Sequence, residues 1–194
     1  MKALGLLSGG LDSTIAVKLI IEQGIDVEAI NFVTPFCLCR IGGCGATEAA
    51  KTFNIHLKHV SAGTDYLRIV RKPRFGYGKN LNPCVDCRIF MLKKAKKYAK
   101  QIGAKFIFTG EVLGQRPMSQ HKGALDLIER EAGLEGKILR PLSAKLLPET
   151  EAEASKETAV QLPRPACTIR KAWRWTLLPG TCISRIGLTA ASAW

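Results

Sequence analysis

A short segment near the start of the chain has the composition of a phosphate-binding loop. Its residues are Ser8, Gly9, Gly10, Leu11, Asp12, Ser13 and Thr14, and an apolar run, residues 3–7, precedes it. Two glycines let the backbone approach an anion closely, and N–H groups at the start of the next helix can donate hydrogen bonds to phosphate oxygens. The segment therefore predicts a loop that holds the pyrophosphate part of a nucleotide.

This loop differs from the Walker type, in which a lysine precedes Ser or Thr. No lysine lies between Lys2 and Lys18, so a loop that grips the γ-phosphate of a motor protein is disfavoured. A loop that holds the β- and γ-phosphates as a leaving group fits the sequence better. The plain structural alternative is a strand-to-helix turn in which Asp12 and Ser13 cap the helix.

A pair of cysteines lies at the start of a long predicted helix. Asn82 is a good N-cap and Pro83 suits the first helical position, so Cys84 is expected in the first turn. There the helix dipole favours thiolate over thiol, which makes Cys84 a candidate nucleophile. Cys87 follows one turn later on the same face. The pair could form a disulfide, hold a persulfide or supply two metal or cluster ligands, and two structural cysteines are the ordinary alternative.

Alternating strands and helices must position these groups. The patterns predict strands at 3–7, 27–33, 55–60, 105–109 and 138–142, and helices at 12–23, 45–53, 65–71, 83–102 and 119–132. This order predicts an α/β fold with an open, mostly parallel sheet and helices on both faces. Ligands of such sheets bind at the carboxyl ends of the strands, so Ser8, Asn31 and Thr109 should converge there.

Length and composition favour one compact core. The chain has 194 residues, of which 46% are hydrophobic, and its apolar runs are far shorter than the roughly 20 residues that span a membrane. Met1 and Lys2 lead directly into a predicted strand, which argues against a secretory signal. We therefore expect a cytoplasmic protein without membrane segments, whose seven cysteines are thiols, ligands or catalytic groups.

The net charge of +13 favours a polyanionic partner, for which RNA is the natural candidate. A lysine-rich surface that is merely solvated is the alternative. The predicted helix 83–102 carries lysines beside its apolar side, and basic residues precede it. The best electrostatic footprint for RNA consists of Arg71, Lys72, Arg74, Lys93, Lys94, Lys96, Lys97 and Lys100.

The character of the sequence changes towards its C-terminus. From Thr158 onward there is no Asp or Glu, and all three tryptophans lie there. No period of 2 or 3.6 is sustained in this stretch. We therefore separate a nucleotide-binding catalytic domain, residues 1–147, from a basic, tryptophan-containing tail, residues 148–194. The tail is either an RNA-contacting segment or a sequence outside its original reading frame that folds poorly or is disordered, and we favour the second interpretation.

Three motifs resemble one enzyme superfamily. Residues 8–13 resemble the Ser-Gly-Gly-x-Asp-Ser motif of PP-loop ATP pyrophosphatases. Residues 82–87 resemble the Asn-Pro-Cys-x-x-Cys segment of tRNA 2-thiouridylases, which are PP-loop enzymes. Residues 109–115 with Ser119 and Gln120, and then residues 138–142, resemble segments of tRNA 4-thiouridine synthases. The resemblance covers about residues 1–147 with the motifs in the family's order, so the chain is identified as a member of the thiouridine synthase branch.

This resemblance implies a Rossmann-like fold of the adenine nucleotide alpha-hydrolase type and an ATP-dependent tRNA sulfurtransferase. Such enzymes adenylate a uridine carbonyl, release pyrophosphate and replace AMP with sulfur. The residues implied to bind ATP with Mg²⁺ are Leu7, Ser8, Gly9, Gly10, Asp12, Ser13, Thr14, Asn31, Phe32, Thr109, Gly110 and Gln115. Asp12, Cys84 and Cys87 are the implied catalytic residues.

The resemblance also implies candidate ligands for a metal site. Cys84 and Cys87 with Cys44, or with Cys37 or Cys39 from the same segment, would give the three-cysteine set with which some PP-loop sulfur-transfer enzymes hold a four-iron four-sulfur cluster. A zinc site made from four of these five cysteines is the structural alternative. The histidines at positions 56 and 59 flank a strand and are expected to be packing or surface residues.

The implied partners are tRNA and a sulfur donor, either a protein or sulfide, and a homodimer is left open. A rival interpretation keeps the adenylation but uses nitrogen as the nucleophile, as PP-loop amidating synthetases do. Another is a non-catalytic nucleotide- or metal-binding protein. The chain also departs from the family pattern. The 4-thiouridine synthases carry an RNA-capturing region before the catalytic domain, whereas the first strand here is predicted at residue 3. The thiouridylases continue into further domains with another cysteine.

Overall fold

A five-stranded parallel sheet forms the centre of the protein, in the order β3-β2-β1-β4-β5. The computed structural model describes residues 1–37, 44–78, 81–116 and 118–154. The strands are β1 (Lys2–Leu6), β2 (Asp26–Val33), β3 (Leu57–Ser61), β4 (Phe106–Thr109) and β5 (Ile138–Leu139). The helices are α1 (Leu11–Ile21), α2 (Gly45–Thr52), α3 (Gly63–Arg71), α4 (Cys84–Gln101), α5 (Lys122–Ala132) and α6 (Glu151–Ala154). The predicted α/β fold with a parallel sheet is confirmed.

The strand register brings the predicted site to one edge of the sheet. Leu6, the last residue of the central strand β1, is paired with Ile30 of β2 and with Thr109 of β4. The loop after β1 and the turn after β4 therefore start at the same height, beside Asn31 of β2, which continues to Val33. This is the carboxyl edge, where open parallel sheets bind their ligands.

Two apolar layers hold the helices against the sheet. On one face the side chains of Leu7, Val17 and Phe108 belong to a core that includes residues of α1 and α2. On the other face Leu4, Leu92 and Ile128 belong to a core that includes residues of α4 and α5. The strands thus alternate their side chains between two buried faces, as expected for a sheet covered on both sides. None of the helices in the described ranges is long and apolar enough to cross a membrane.

The starts of α4 and α5 differ from those predicted for identifiable reasons. Helix α4 begins at Cys84 with Pro83 as its N-cap, and no side chain caps it. Asn82 instead lies in a turn, where its carbonyl accepts hydrogen bonds from the N–H groups of Gly78 (2.8 Å) and Cys84 (2.9 Å). Helix α5 begins at Lys122 rather than Ser119 because the side chain of His121 accepts a hydrogen bond from the N–H of Ala124 (3.2 Å). Local hydrogen bonds therefore move both boundaries.

The chain keeps packing against the sheet after residue 147. Ala152 of α6 is buried in the core on the α1 side. The N–H of Glu151 donates to the carbonyl of Gly136 at 2.8 Å. Residues 148–154, which were predicted to belong to the tail, are thus in contact with the domain formed by residues 1–147. The rest of the tail, residues 155–194, lies outside the described residues.

A buried carboxylate links β2 to α4 and to the N-terminal ends of the strands. Glu28 Oε1 accepts a hydrogen bond from the Tyr98 hydroxyl and lies 2.8 Å from His56 Nδ1, while Lys2 Nζ lies 3.7 Å from Oε2. Burial alone would raise the pKa of Glu28, but the hydrogen bonds with Tyr98 and His56 and the charge of Lys2 hold it below its usual value. Burial and the nearby carboxylate raise the pKa of Tyr98 to about 12.

Replacing Glu28 with glutamine should lower the free energy of unfolding at pH 7 by about 1 kcal/mol, because a charged hydrogen-bond acceptor is lost. The pKa of Glu28 is lower in the folded protein than in the unfolded chain. The carboxylate therefore contributes to stability at pH values above its unfolded-state pKa, and this contribution is lost as the pH falls through its folded-state pKa. The difference in free energy of unfolding between wild type and E28Q, measured by urea unfolding, should therefore become smaller as the pH is lowered from about 5 to about 3.

Glu22→Gln is the matched control. Glu22 lies on the surface of α1 and pairs with Lys18 at 3.3 Å, so its loss should change stability by less than about 0.5 kcal/mol. If the difference in free energy of unfolding between wild type and E28Q stays constant across this pH range, the ionised Glu28 carboxylate does not have the stabilising role assigned to it.

Candidate nucleotide and thiol site

A cavity of about 370 Å³ opens at the carboxyl edge of the sheet. Its walls come from the loop after β1, the end of β2, the first turns of α4 and the segment after β4. The sequence-predicted residues that line it are Leu7, Ser8, Gly10, Asp12, Ser13, Asn31, Phe32, Cys84, Cys87, Thr109, Gly110 and Gln115. The predicted nucleotide residues and the predicted thiols therefore share one cavity.

The phosphate-type loop is built by its own hydroxyl groups. The first hydrogen bond of α1 joins the N–H of Thr14 to the carbonyl of Gly10 at 3.1 Å, so the N–H groups of residues 11–13 have no acceptor within the helix. The hydroxyls of Ser13 (2.8 Å) and Thr14 (3.0 Å) also donate to Gly10 O. Ser13 Oγ in turn lies 3.1 Å from Ser8 Oγ. The hydroxyls expected to donate to phosphate thus make hydrogen bonds within the loop itself.

Two glycines allow neighbouring elements to touch this loop. Gly9 has a φ of +83°, and a side chain there would lie 2.3 Å from the backbone nitrogen of Ala46 in α2. A side chain at Gly110 would lie 2.6 Å from backbone atoms of Asp12 and Ser13 in α1. Gly9 therefore packs against α2 rather than lining the cavity. Gly110 lets the turn after β4 lie directly on the first turn of α1.

The predicted polar residues around the loop are held by hydrogen bonds. Gln115 Nε2 donates to Asp12 Oδ2 at 3.1 Å, which joins the segment after β4 to the loop. Asn31 Nδ2 donates to the carbonyl of Leu7 at 2.8 Å, and its Oδ1 lies 3.2 Å from His59 Nδ1. Asn31 therefore fixes the end of β1 against β2, and His59 supports Asn31.

The two thiols of α4 lie in the cavity wall, and burial affects the second of them. Both line the cavity and both are free cysteines. Burial raises the pKa of the Cys87 thiol; the hydrogen bond with Tyr66 and the charge of Arg88 act in the opposite direction without cancelling this effect. Burial also raises the pKa of Tyr66, and Cys87 adds to it. Cys87 is therefore a protonated thiol at neutral pH.

The third cysteine of the expected metal set lies elsewhere. Cys44 precedes α2 as its N-cap and packs against the apolar core on the α1 face. Within residues 1–37, 44–78, 81–116 and 118–154, no group of three His, Cys, Asp or Glu side chains is placed to hold a metal ion. Cys39 lies outside the described residues. The structure thus brings Cys84 and Cys87 together but does not add Cys44 to them.

A buried ion-pair network adjoins the cavity, and its charged residues Glu111, Arg88 and Arg140 were not among the predicted site residues. Glu111 Oε2 accepts hydrogen bonds from Thr109 Oγ1 and Arg140 Nε, each at 3.0 Å, and Arg88 Nε lies 3.0 Å from Oε1. Arg140 also donates to Glu129. Burial alone would raise the pKa of Glu111, but Arg88 and Arg140 hold it below its usual value. The only sequence signal was that Glu111 and Arg140 fall within the family-like motifs.

Replacing Gly110 with alanine should displace α1 from the turn after β4, because the added methyl group would meet backbone atoms that cannot rotate away. We expect a loss of about 1–3 kcal/mol in the free energy of unfolding and weaker ATP binding, measured by thermal unfolding and by calorimetric titration. Gly123→Ala is the control, because a side chain there makes only ordinary contacts with His121 at 3.7 Å. Equal behaviour of the two variants would contradict the proposed contact.

Comparison with known proteins places the chain in a family. Residues 1–147 match the family model described as thiamine biosynthesis protein (ThiI). A probable tRNA sulfurtransferase of Macrococcus caseolyticus is 31% identical over 177 residues, which span 87% of this chain and 42% of that protein. One of Thermococcus kodakarensis is 31% identical over 122 residues, which span 59% of this chain and 30% of that protein. The chain thus spans less than half the length of these two relatives.

A solved structure shows the same fold. The crystal structure of a 4-thiouridine synthetase–RNA complex with bound ATP matches with a TM-score of 0.54 and 28% sequence identity, over 73% of this chain and 36% of that chain. The match agrees with the α/β fold built on a parallel sheet. Since the family model covers three quarters of its length, the chain belongs to the ThiI family.

Proposed function

We propose that this chain is the nucleotide-binding and sulfur-transferring part of an ATP-dependent, AMP-forming tRNA sulfurtransferase. The observation that carries the proposal is that one cavity is lined both by the Ser8–Ser13 loop and by the two thiols Cys84 and Cys87. Activation of a carbonyl by a nucleotide is useful only where a nucleophile waits beside it. The related 4-thiouridine synthetase was crystallised with ATP and RNA, which supports the same pair of ligands here.

In the first step a uridine carbonyl oxygen attacks the α-phosphorus of ATP. A bond forms between this oxygen and the phosphorus, the bond to the β-phosphate breaks, and pyrophosphate leaves. The N–H groups of the first turn of α1 stabilise the charge that develops on the pyrophosphate. The ring nitrogen beside this carbonyl loses its proton to solvent, and the carbon of the former carbonyl then carries AMP as a leaving group.

A magnesium ion fits the carboxylate side of this cavity. Mg²⁺ is usually bound by one or two carboxylates together with substrate phosphates, and Asp12 supplies a carboxylate on the cavity wall. Gln115 donates a hydrogen bond to Asp12 Oδ2, which orients the other oxygen for a ligand. The ion would supply positive charge to the leaving pyrophosphate.

In the second step sulfur replaces AMP. With a persulfide on Cys84, the terminal sulfur attacks the activated carbon, the carbon–oxygen bond breaks, and AMP leaves with the oxygen. Cys87 then loses its proton and attacks Sγ of Cys84, the thiolated base leaves, and a Cys84–Cys87 disulfide remains. The transferred sulfur gains the two electrons that the two cysteines lose, and a thiol reductant resets the pair. If free sulfide is the donor, it displaces AMP directly and no disulfide forms.

An iron–sulfur cluster would need a third thiolate. The described residues supply Cys84 and Cys87 and bring no third ligand to them, so no step is assigned to such a group. A cluster with an open iron would hold the sulfur to be transferred. Iron content and visible absorption of protein purified without oxygen distinguish this arrangement, or a zinc site, from the persulfide.

The tRNA partner is supported by a basic surface on α4. Lys93, Lys97 and Lys100 are exposed along this helix. Two members of the predicted footprint serve the fold instead: Lys96 Nζ donates to the carbonyl of Gly133 at 2.6 Å, and Arg74 pairs with Glu131 at 2.9 Å. The lysines that remain exposed can contact phosphates, and binding through them should weaken steeply as salt rises.

Asp12→Ala should abolish both AMP formation and thiolation, whereas Cys84→Ala should abolish thiolation alone. Asp12 acts on the phosphates before the nucleophile is needed, and Cys84 acts after the adenylate has formed. The measurements are tRNA-dependent release of AMP from labelled ATP and mass spectrometry of the thiolated nucleosides.

Asp126→Ala is the control for the carboxylate, because Asp126 is exposed on α5 and does not line this cavity. Wild-type rates of AMP formation and thiolation in the Asp12 variant, or ADP as the product in place of AMP, would contradict the proposal. AMP release that depends on ammonia or glutamine would point to an amidating enzyme. ATP binding without AMP would point to a non-catalytic binding protein.

Cys87→Ala should trap the reaction at its mixed disulfide. Without the second thiol, the base stays attached to Cys84 through the transferred sulfur, so a covalent protein–tRNA adduct should accumulate that dithiothreitol releases. Gel electrophoresis without reductant detects it. Multiple turnover by this variant with a persulfide donor would show that Cys87 does not resolve the disulfide.

A further inference from the structure

The cavity has few cations for a site that takes a triphosphate. The loop itself carries no lysine. Among the described residues that line the cavity, the cations are Arg88 and Arg116. Arg116 is exposed in the segment after β4, whereas Arg88 is partly buried on α4 and directly follows Cys87. Arg88 is therefore the cation that the fold fixes between the thiols and the nucleotide loop.

The guanidinium of Arg88 is oriented by an ion pair with a buried carboxylate. Its Nε lies 3.0 Å from Glu111 Oε1, and the side chain of Glu111 is only 4% exposed. Arg140 and Thr109 engage the other oxygen of the same carboxylate. Arg140 is paired with both Glu111 and Glu129, so the carboxylate of Glu111 holds Arg88 in place while Glu129 supplies a second partner for Arg140.

This arrangement leaves the far end of Arg88 for a ligand. An arginine side chain carries five N–H donors, and within the described part of the chain Arg88 meets Glu111 through Nε. Its terminal nitrogens form the fork that binds phosphate oxygens in pairs. The Arg88 side chain is 27% exposed and lines the cavity, so this fork can reach a bound nucleotide.

The position of Arg88 indicates which of the three phosphates it binds. The Ser8–Thr14 loop and α1 are expected to hold the β- and γ-phosphates. The α-phosphate must lie towards the thiols, because sulfur attacks the carbon that its oxygen carries. Arg88 is adjacent in sequence to Cys87, and its charge acts on that thiol. The phosphate nearest the thiols is thus the one that Arg88 meets.

We propose that Arg88, oriented by Glu111, binds the α-phosphate of the nucleotide and stabilises the charge that builds up there while the bond to pyrophosphate breaks. The inference rests on the proposed AMP-forming function and deepens it. Arg88 supplies the fixed positive charge that this loop lacks in comparison with a Walker loop.

The test compares ligands that differ only in phosphate. Calorimetry gives the dissociation constants of adenosine, AMP and ATP for wild type, Arg88→Ala and Arg88→Gln. Loss of a charged hydrogen bond to the α-phosphate should weaken AMP and ATP binding by about tenfold or more and leave adenosine binding unchanged. The tRNA-dependent rate of AMP formation should fall by about 100-fold. Arg88→Gln keeps a donor for Glu111 and carries the test should Arg88→Ala unfold.

Arg130→Ala is the control, since Arg130 is exposed on α5 and does not line the cavity. It should leave all three affinities and the rate unchanged. Equal weakening of adenosine and AMP in the Arg88 variants would show a structural effect and overturn the proposal. Unchanged AMP binding would overturn it as well.

The same measurements separate this proposal from the proposed function. If wild type forms no AMP with any tRNA, the function fails, yet the AMP-to-adenosine affinity ratio still shows whether Arg88 binds the phosphate. If wild type forms AMP and the Arg88 variants bind and react as wild type does, Arg88 is wrongly assigned while the function stands.

Discussion

A single carboxylate, that of Glu111, determines how the site is assembled. It is buried between Arg88 of α4 and Arg140, which follows β5, and it accepts a hydrogen bond from Thr109 at the end of β4. A buried charge is tolerated only where partners compensate its lost hydration, and removal of one partner typically costs about 3–5 kcal/mol. The thiol-bearing helix, the sheet and the segment after β5 are therefore locked to each other at one point.

The neighbouring residue connects this point to the nucleotide loop. Gly110 contacts the backbone of Asp12 and Ser13 so closely that no side chain fits between them. Two consecutive residues after β4 thus fix α4 on one side and α1 on the other. A phosphate loop and a thiol pair that lie 70 residues apart in the chain reach the same cavity because β4 pairs with the central strand and ends beside it.

The sequence predicted those features that depend on local pattern. Alternating apolar runs located all five strands, and the loop after β1 lies where its glycines and hydroxyls indicated. The local pattern could not predict which side chains contact each other when they are far apart in the sequence. Lys96 reaches the last carbonyls of α5, Cys44 packs into the core, and Glu111 finds its arginines only when three elements meet.

The two thiols have an order that follows from their surroundings. Burial keeps Cys87 protonated, whereas the positive charge of Arg88 favours its thiolate. In the proposed mechanism, a phosphate bound to Arg88 would draw that charge away from Cys87 and raise the pKa of this thiol further, which would disfavour an early attack on a persulfide at Cys84. Departure of AMP would return the charge of Arg88 to Cys87 and lower its pKa again, which would favour the deprotonation that resolves the mixed disulfide. One arginine would thereby couple the departure of AMP to the second sulfur step.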